Sequence, residues 1–286
     1  MNACSTQKSQ KEALQKNVEG KFANTRGTFA LAFINLADTT QAIMINGKEM
    51  FHAASTMKTP VMVELFKQAK AGNFSLDDSI LVKNEFRSIV DSSRYQMDIG
   101  EDSEGALYDL IGEKQTVRAL ITEMITMSSN LATNILIEKV GAPNVTQTMR
   151  SYGADSILVL RGVEDIKAYE QGLSNRTNAN DLMVLFTKLG NGEAVSPQAS
   201  EEMINILQKQ HFNKMIPAPL PDSVEVAHKT GSITGINHDS GLVILPDGRK
   251  YVLVLLSKEV ENRDKVIQMF ADISYDIYNF VRTNKK

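Results

Sequence analysis

Apolar residues recur along this chain with two periods, and the two periods occupy different stretches of it. Helical spacing comes first: Ala13, Leu14, Val18 and Phe22 predict a helix over about residues 6–22. Residues 27–37 are apolar and bounded by turn residues, which predicts a strand. Residues 42–45, Asn46-Gly47 and residues 48–51 then predict a β-hairpin, because Asn-Gly tolerates the positive φ of a type I′ turn. The helical period takes over in the middle. Val61, Met62, Leu65, Phe66 and Ala69 form a stripe that ends at Gly72, and further helices are predicted over 116–139, 180–189 and 197–209. Strands return in 241–245 and 250–257 around the turn Pro246-Asp247-Gly248, and an amphipathic helix covers roughly 261–281.

Strands at both ends and helices between them predict an α+β fold of two lobes. One antiparallel sheet is built from both chain ends with flanking helices, and an all-helical lobe is inserted. Residues 17–51 and 212–286 form the sheet lobe, residues 52–211 the helical lobe, and residues 1–16 a tether running into the first helix. A ligand site is expected in the cleft between the lobes. The Ser-, Asp-, Glu- and Gly-rich stretch 84–113 reads as an elaborated surface loop. No internal repeat or low-complexity segment is present.

Composition narrows the function. A chain of 286 residues can bury a sizeable core, and 42% hydrophobic with 23% charged residues excludes disorder. A net charge of -3 provides no basic field for nucleic acid or anionic lipid. No apolar run approaches membrane-spanning length, and residues 251–256 read as a buried strand. The one cysteine, Cys4, forms no internal disulfide. His52, His211, His228 and His238 lack metal-site spacing, so neither a metal nor another cofactor is expected. Residues 231–235 lack the spacing of a phosphate-binding loop.

Three short motifs carry chemistry. Ser55-Thr56-Met57-Lys58 opens the first helix of the inserted lobe. Ser and Lys at i, i+3 share one face, where a neutral amine can take the proton that makes a serine hydroxyl nucleophilic. Ser5-Thr6-Gln7-Lys8 fits the same pattern, so the pattern alone decides nothing. Ser128-Ser129-Asn130 puts three small polar residues inside an apolar stripe, which favours a turn facing a cleft. Lys229-Thr230-Gly231-Ser232 follows the apolar stretch 224–227, and a glycine on a strand marks close backbone approach.

In order, spacing and context these motifs resemble the penicillin-recognising serine hydrolases, above all the class A β-lactamases. The resemblance runs from the first strand to the last helix. It implies a β-lactam substrate, with Ser55 as the acylated nucleophile and Lys58 as its base or proton relay. Ser128 would pass a proton to the leaving β-lactam nitrogen, and Asn130 would bond the substrate amide and Lys58. Lys229 and Thr230 would hold the substrate carboxylate. Gly231 belongs to the same strand, and the backbone N–H groups of Ser55 and Ser232 would form the oxyanion hole.

In the family, a Glu on an Ω-shaped loop activates the water that releases the acyl group. Glu164, within Arg161-Gly162-Val163-Glu164-Asp165, lies at the matching distance after Ser128 and ahead of Asn175-Arg176-Thr177, with Glu170 the second candidate. The resemblance leaves open whether Lys58 or Glu164 starts acylation. Three positions depart from the family pattern. Ala168 stands where an Asn helps hold the water. Ser129 replaces the Asp of Ser-Asp-Asn. Ser240 stands where many members carry a substrate-binding Arg, and His238 is the cation expected to substitute.

The leading reading is thus a serine β-lactam hydrolase. Two others remain: a serine esterase or D,D-peptidase with slow β-lactam release, and a binding module that kept the site without the chemistry. The start Met1-Asn2-Ala3-Cys4 resembles a mature bacterial lipoprotein, which implies a periplasmic or cell-envelope protein, lipid-anchored through Cys4. A monomer is expected.

Overall fold

The computed structural model describes the backbone of residues 2–284 and the side chains from Lys8 onward, so the side chain of Cys4 lies outside the described residues. Helix α1 (Asn2–Ala23) is followed by β1 (Thr28–Asn35) and β2 (Ala42–Ile45). The short β3 (Phe51–His52) leads through a single 3-10 turn (Ala54–Met57) into α2 (Lys58–Lys70). After it come β4 (Ser79–Leu81), β5 (Phe86–Arg87), β6 (Arg94–Tyr95), a second 3-10 turn (Ala106–Leu110) and β7 (Lys114–Thr116). The chain continues with α3 (Val117–Thr126), α4 (Asn130–Val140), α5 (Ala142–Ser151), the short α6 (Ile166–Glu170), β8 (Arg176–Thr177), α7 (Ala179–Gly190) and α8 (Pro197–Leu207). Strands β9 (Glu225–Ile233), β10 (Ile236–Ile244), β11 (Lys250–Lys258) and helix α9 (Arg263–Thr283) complete the chain.

The main sheet has the order β2-β1-β11-β10-β9, antiparallel throughout, so the first strands pair with the last. Strand β11 shows why its apolar run is unbroken. Tyr251, Leu253 and Leu255 face α1 and α9, in the core with Leu14, Val18, Phe270 and Ile277. Val252, Val254 and Leu256 face α2, α3 and α7, in the core with Val61, Leu120, Leu182 and Phe186. Both faces are covered, so neither needs polar residues. Each fully buried aliphatic side chain contributes roughly 1.5–3 kcal/mol, and the two cores clamp the sheet against helices on either side.

Three local expectations are corrected. Residues 42–51 do not form a hairpin. Asn46 has φ 50°, but Gly47 is not left-handed, so no type I′ turn closes. Strand β2 instead pairs with β1, and Phe51–His52 pairs with β8. The longer β1 offers β2 a full ladder, while exposed Lys48 and Glu49 have no sheet face to fill. The 84–113 stretch is more than a surface loop. Phe86, Ser88, Met97 and Leu107 are buried, and its backbone and Asp102 reach the cleft described below. The single helix predicted over 116–139 is two, α3 and α4, broken at the Ser-Ser-Asn motif.

Candidate active site

Ser55 sits in the 3-10 turn immediately ahead of α2. In a 3-10 turn side chains at i and i+3 eclipse, which brings Ser55 and Lys58 onto one side. The turn is entered through Ala54 at φ 45°, a strained left-handed conformation for a residue with a Cβ. Strand β9 passes close by. A Cβ at Gly231 would lie 3.1 Å from the Ser55 backbone nitrogen and 3.2 Å from Ala54 Cβ, so only glycine lets the strand approach the Ser55 amide unhindered.

Lys58 is fully buried. Its Nζ donates to Ser128 O at 2.6 Å, Ser128 Oγ at 3.2 Å and Asn130 Oδ1 at 3.0 Å. Burial lowers its pKa to about 7, against the opposing pull of Asp102 and Glu164. The amine is therefore part neutral near pH 7 and able to accept a proton. Lys229, equally buried, donates to Ser128 Oγ at 3.0 Å and to Thr230 O at 3.1 Å. Burial, and then the neighbouring Lys58, push its pKa well below the usual lysine range.

Ser128 holds its place between the two amines because the chain turns there at φ 61°, between α3 and α4. Ser129 caps α4, its hydroxyl accepting from Ala132 N at 3.2 Å. The carboxylate absent at Ser129 arrives from another element. Asp102 accepts from Asn130 N at 2.8 Å and Leu131 N at 3.0 Å, at the positive end of α4.

Glu164 stands on the segment 161–177, the Ω-like loop, whose ends are tied by the Leu158–Arg176 bridge. Asn134, one turn after Asn130 on α4, fixes the loop by accepting from Val163 N at 2.7 Å and donating to Val163 O at 3.0 Å. A Cβ at Gly162 would fall 2.2 Å from Asn134 Oδ1. Glu164 itself is left-handed, φ 60°. Its carboxylate accepts from Asn130 Nδ2 at 3.2 Å and Asp98 N at 3.0 Å. Burial raises its pKa, partly offset by those two bonds. Asn130 thus links Lys58 to Glu164. Glu170 is exposed at the end of α6 and Ala168 is fully buried.

A cleft of about 530 Å³ opens beside this cluster, lined among others by Ser55, Ser128, Thr230, Ser232, Asn237 and Arg263. The cation expected from His238 is not there. That ring is fully buried, with Nε2 2.9 Å from His52 O and Nδ1 accepting from Ser257 N at 3.2 Å. Burial lowers its pKa to about 4, so it is neutral. Ser240 is also buried, paired with Lys229 and donating to Lys229 O. On β10 the residue at the cleft is Asn237, opposite Ser232, and Arg263 Nε donates to Asn237 Oδ1 at 3.2 Å from the start of α9. Sequence reading missed Arg263, Asn237, Asp102 and Asn134. Asn134 alone carried a local signal, four residues after Asn130 on one helix face.

The cluster brings Lys58, Ser128, Asn130, Glu164 and Lys229 into one hydrogen-bonded chain, with Ser55, Thr230 and Ser232 along the adjoining cleft and Gly231 against the Ser55 turn. It offers a hydroxyl nucleophile, a partly neutral amine, a proton-relaying hydroxyl and a carboxylate, which suits acyl transfer. Among the described residues, no cluster of His, Cys, Asp and Glu could hold a metal ion.

Comparisons with known proteins agree with this chemistry. The family model described as the Beta-lactamase enzyme family matches residues 11–281. Extended-spectrum beta-lactamase PER-1 of Pseudomonas aeruginosa is 22% identical over 285 residues, 95% of this chain and 88% of that protein. The structure of PBP-A superposes with a TM-score of 0.80 at 26% identity, covering 95% of this chain and 96% of its own. A representative of class A beta-lactamase from Bacteroides cellulosilyticus gives 0.78 at 21% identity, covering 96% and 99%. The chain therefore belongs to the beta-lactamase enzyme family and has the fold of its class A members.

Proposed function

We propose that the protein hydrolyses β-lactams through an acyl-enzyme on Ser55. The observation that carries the assignment of roles is the Ser128 hydroxyl held between two buried lysines, Lys58 and Lys229, beside the Ser55 turn. Ser55 Oγ attacks the lactam carbonyl as Lys58 takes its proton. The oxyanion is received by the backbone N–H groups of Ser55 and Ser232, which Gly231 allows to approach. The C–N bond then breaks, the nitrogen takes the Ser128 proton, and Lys58 resupplies Ser128. In the second half Glu164 takes a proton from water as the hydroxide attacks the ester; the ester C–O bond then breaks and Ser55 Oγ takes back that proton, leaving Glu164 a carboxylate and Ser55 a free hydroxyl. Lys229 and Thr230 receive the substrate carboxylate, with Arg263 as a further cation at that end of the cleft.

A second reading has a specific observation in its favour. Ala168 is buried within the Ω-like loop and carries no amide to share the water with Glu164, which favours slow release of the acyl group, as in a D,D-peptidase or esterase. Hydrolysis of a chromogenic cephalosporin, followed well past one equivalent, separates the two. Sustained turnover lost in Ser55→Ala supports the β-lactamase; a burst near one equivalent supports slow release; no burst and no turnover overturns both.

Among the described residues no helix is long and apolar enough to cross a membrane. Anchoring through a lipidated Cys4 at the cell envelope, as a monomer, completes the proposal. Mass spectrometry of the protein from its host tests the anchor, and an unmodified Cys4 contradicts it.

A further inference from the structure

We propose that His228 is a positioning residue: with Asp239 and Asn213 it latches the irregular segment 210–216 to the sheet, and the latch sets how the cleft accepts the group beside a substrate's carboxylate. The substrate half of this rests on the β-lactam reading above; the latch itself does not.

Segment 210–216 contains no helix or strand, yet it forms one wall of the cleft through His211, Phe212, Asn213 and Lys214. Phe212 is 41% exposed, so apolar packing does not hold this wall. Its start is tied to α3, by His211 N to Thr126 O at 3.2 Å and Gln210 Nε2 to Ile125 O at 2.8 Å. Its end is fixed where Met215 and Ile216 enter the core and Ile216 N donates to Asp239 Oδ2 at 3.0 Å. Between these anchors, Asn213 Oδ1 meets His228 Nε2 at 2.9 Å.

The imidazole is held on both sides. His228 Nδ1 lies 2.8 Å from Asp239 Oδ1, and both residues are buried. Asn213 spends its Nδ2 on Gln210 O at 2.9 Å, so its oxygen faces His228 as an acceptor. Each ring nitrogen therefore faces an oxygen, an arrangement in which both contacts are hydrogen bonds when the ring carries both protons and donates from Nδ1 and Nε2; the two contacts together fix the ring in plane and direction. Room for it comes from Gly241, paired across the strands, where a Cβ would fall 2.6 Å from His228 Cβ. The latch shares its backbone with the site: Lys229 follows His228, and Asp239 pairs with Thr230. The loop wall is thus registered against the residues that receive the carboxylate. In a cephalosporin the neighbouring ring carbon bears the C3 substituent; in a penicillin it bears only methyl groups.

The test uses Asn213→Ala, which cuts the latch in the exposed loop and leaves the buried His228–Asp239 pair intact. Amide hydrogen exchange of residues 211–214 should accelerate at least about tenfold, with Met57 and Lys58 unchanged. The ratio of KM for a C3-substituted cephalosporin to KM for benzylpenicillin should shift about fivefold or more. Asn213→Asp keeps the acceptor and should restore both readouts. Unchanged exchange overturns the latch. Faster exchange with an unchanged KM ratio overturns its role in specificity. If the wild type turns over neither substrate, the β-lactam reading fails and the exchange result alone decides the latch.

Discussion

Lys58 and Lys229 share one hydroxyl: Ser128 Oγ lies 3.2 Å from the first Nζ and 3.0 Å from the second. Two ammonium groups so placed and fully buried repel one another, and the lowered pKa of each follows from burial and, for Lys229, from that neighbour. Ser128 relays protons only while Lys58 can give and take them. Ser128→Ala should reduce the acylation rate about 10²- to 10³-fold, within the range for one positioned proton donor, and leave release of an acyl group already formed within about threefold. Pre-steady-state mixing with a chromogenic cephalosporin checks this; equal loss in both steps contradicts it.

The pH dependence follows from Lys58. It must be neutral to accept the Ser55 proton, so kcat/KM should rise with pH through about 7 and level off above. Its folded value also lies below the ordinary 10.5, so the unfolded chain binds more protons between pH 7 and 10.5. Stability contributed at this site therefore increases with pH across that window and is lowest below it. Wild-type Tm should gain on that of Lys58→Met from pH 7 to 9, measured by calorimetry. A Tm difference independent of pH contradicts the assignment.

Gly231 is where the sheet meets the nucleophile. A Cβ at 3.1 Å from the Ser55 nitrogen forces the strand or the turn aside by a few tenths of an ångström. Gly231→Ala should lower kcat about 10- to 100-fold, as misplaced oxyanion donors do, with Tm changed by only a few degrees. Wild-type kcat in this variant would show that the strand's approach is not used.

Asp102 does work that the local motif does not. It accepts from two N–H groups at the start of α4 and receives the Tyr108 hydroxyl at 3.0 Å. Asp102→Ala should destabilise by about 1–2 kcal/mol, as loss of a helix N-terminal acceptor does, and raise KM by freeing Asn130. Asp102→Asn keeps an acceptor and should recover most of the stability. Thermal melts with KM measurements separate these outcomes.

What was legible in the sequence divides along physical lines. The sheet and its long helices were readable because each buries a face or stripe of fixed period, as β11 does on both faces. The motifs holding Ser55, Lys58, Ser128 and Lys229 stood out because each is short and lies on a local turn or strand, and the structure draws Lys58, Ser128 and Lys229 into one hydrogen-bonded cluster. Asp102 and Arg263 were not, because they reach the site from a loop and a helix start distant in sequence. The 42–51 hairpin failed for a related reason: the turn signal is local, but the pairing partners, β1 and β8, are not. His238 was misread as a cation because its burial between Phe51 and the His52 carbonyl is a tertiary fact.

On the proposed mechanism Ser55 carries the acyl group and Glu164 releases it. Intact-mass spectrometry of wild type and Glu164→Ala after mixing with benzylpenicillin tests it most directly. Wild type should carry no adduct at steady state. The variant should carry one equivalent of added penicillin, on the peptide containing Ser55, lasting at least about a hundred times longer than in the wild type. Free variant enzyme turning over at the wild-type rate, or an adduct on any other residue, would contradict it.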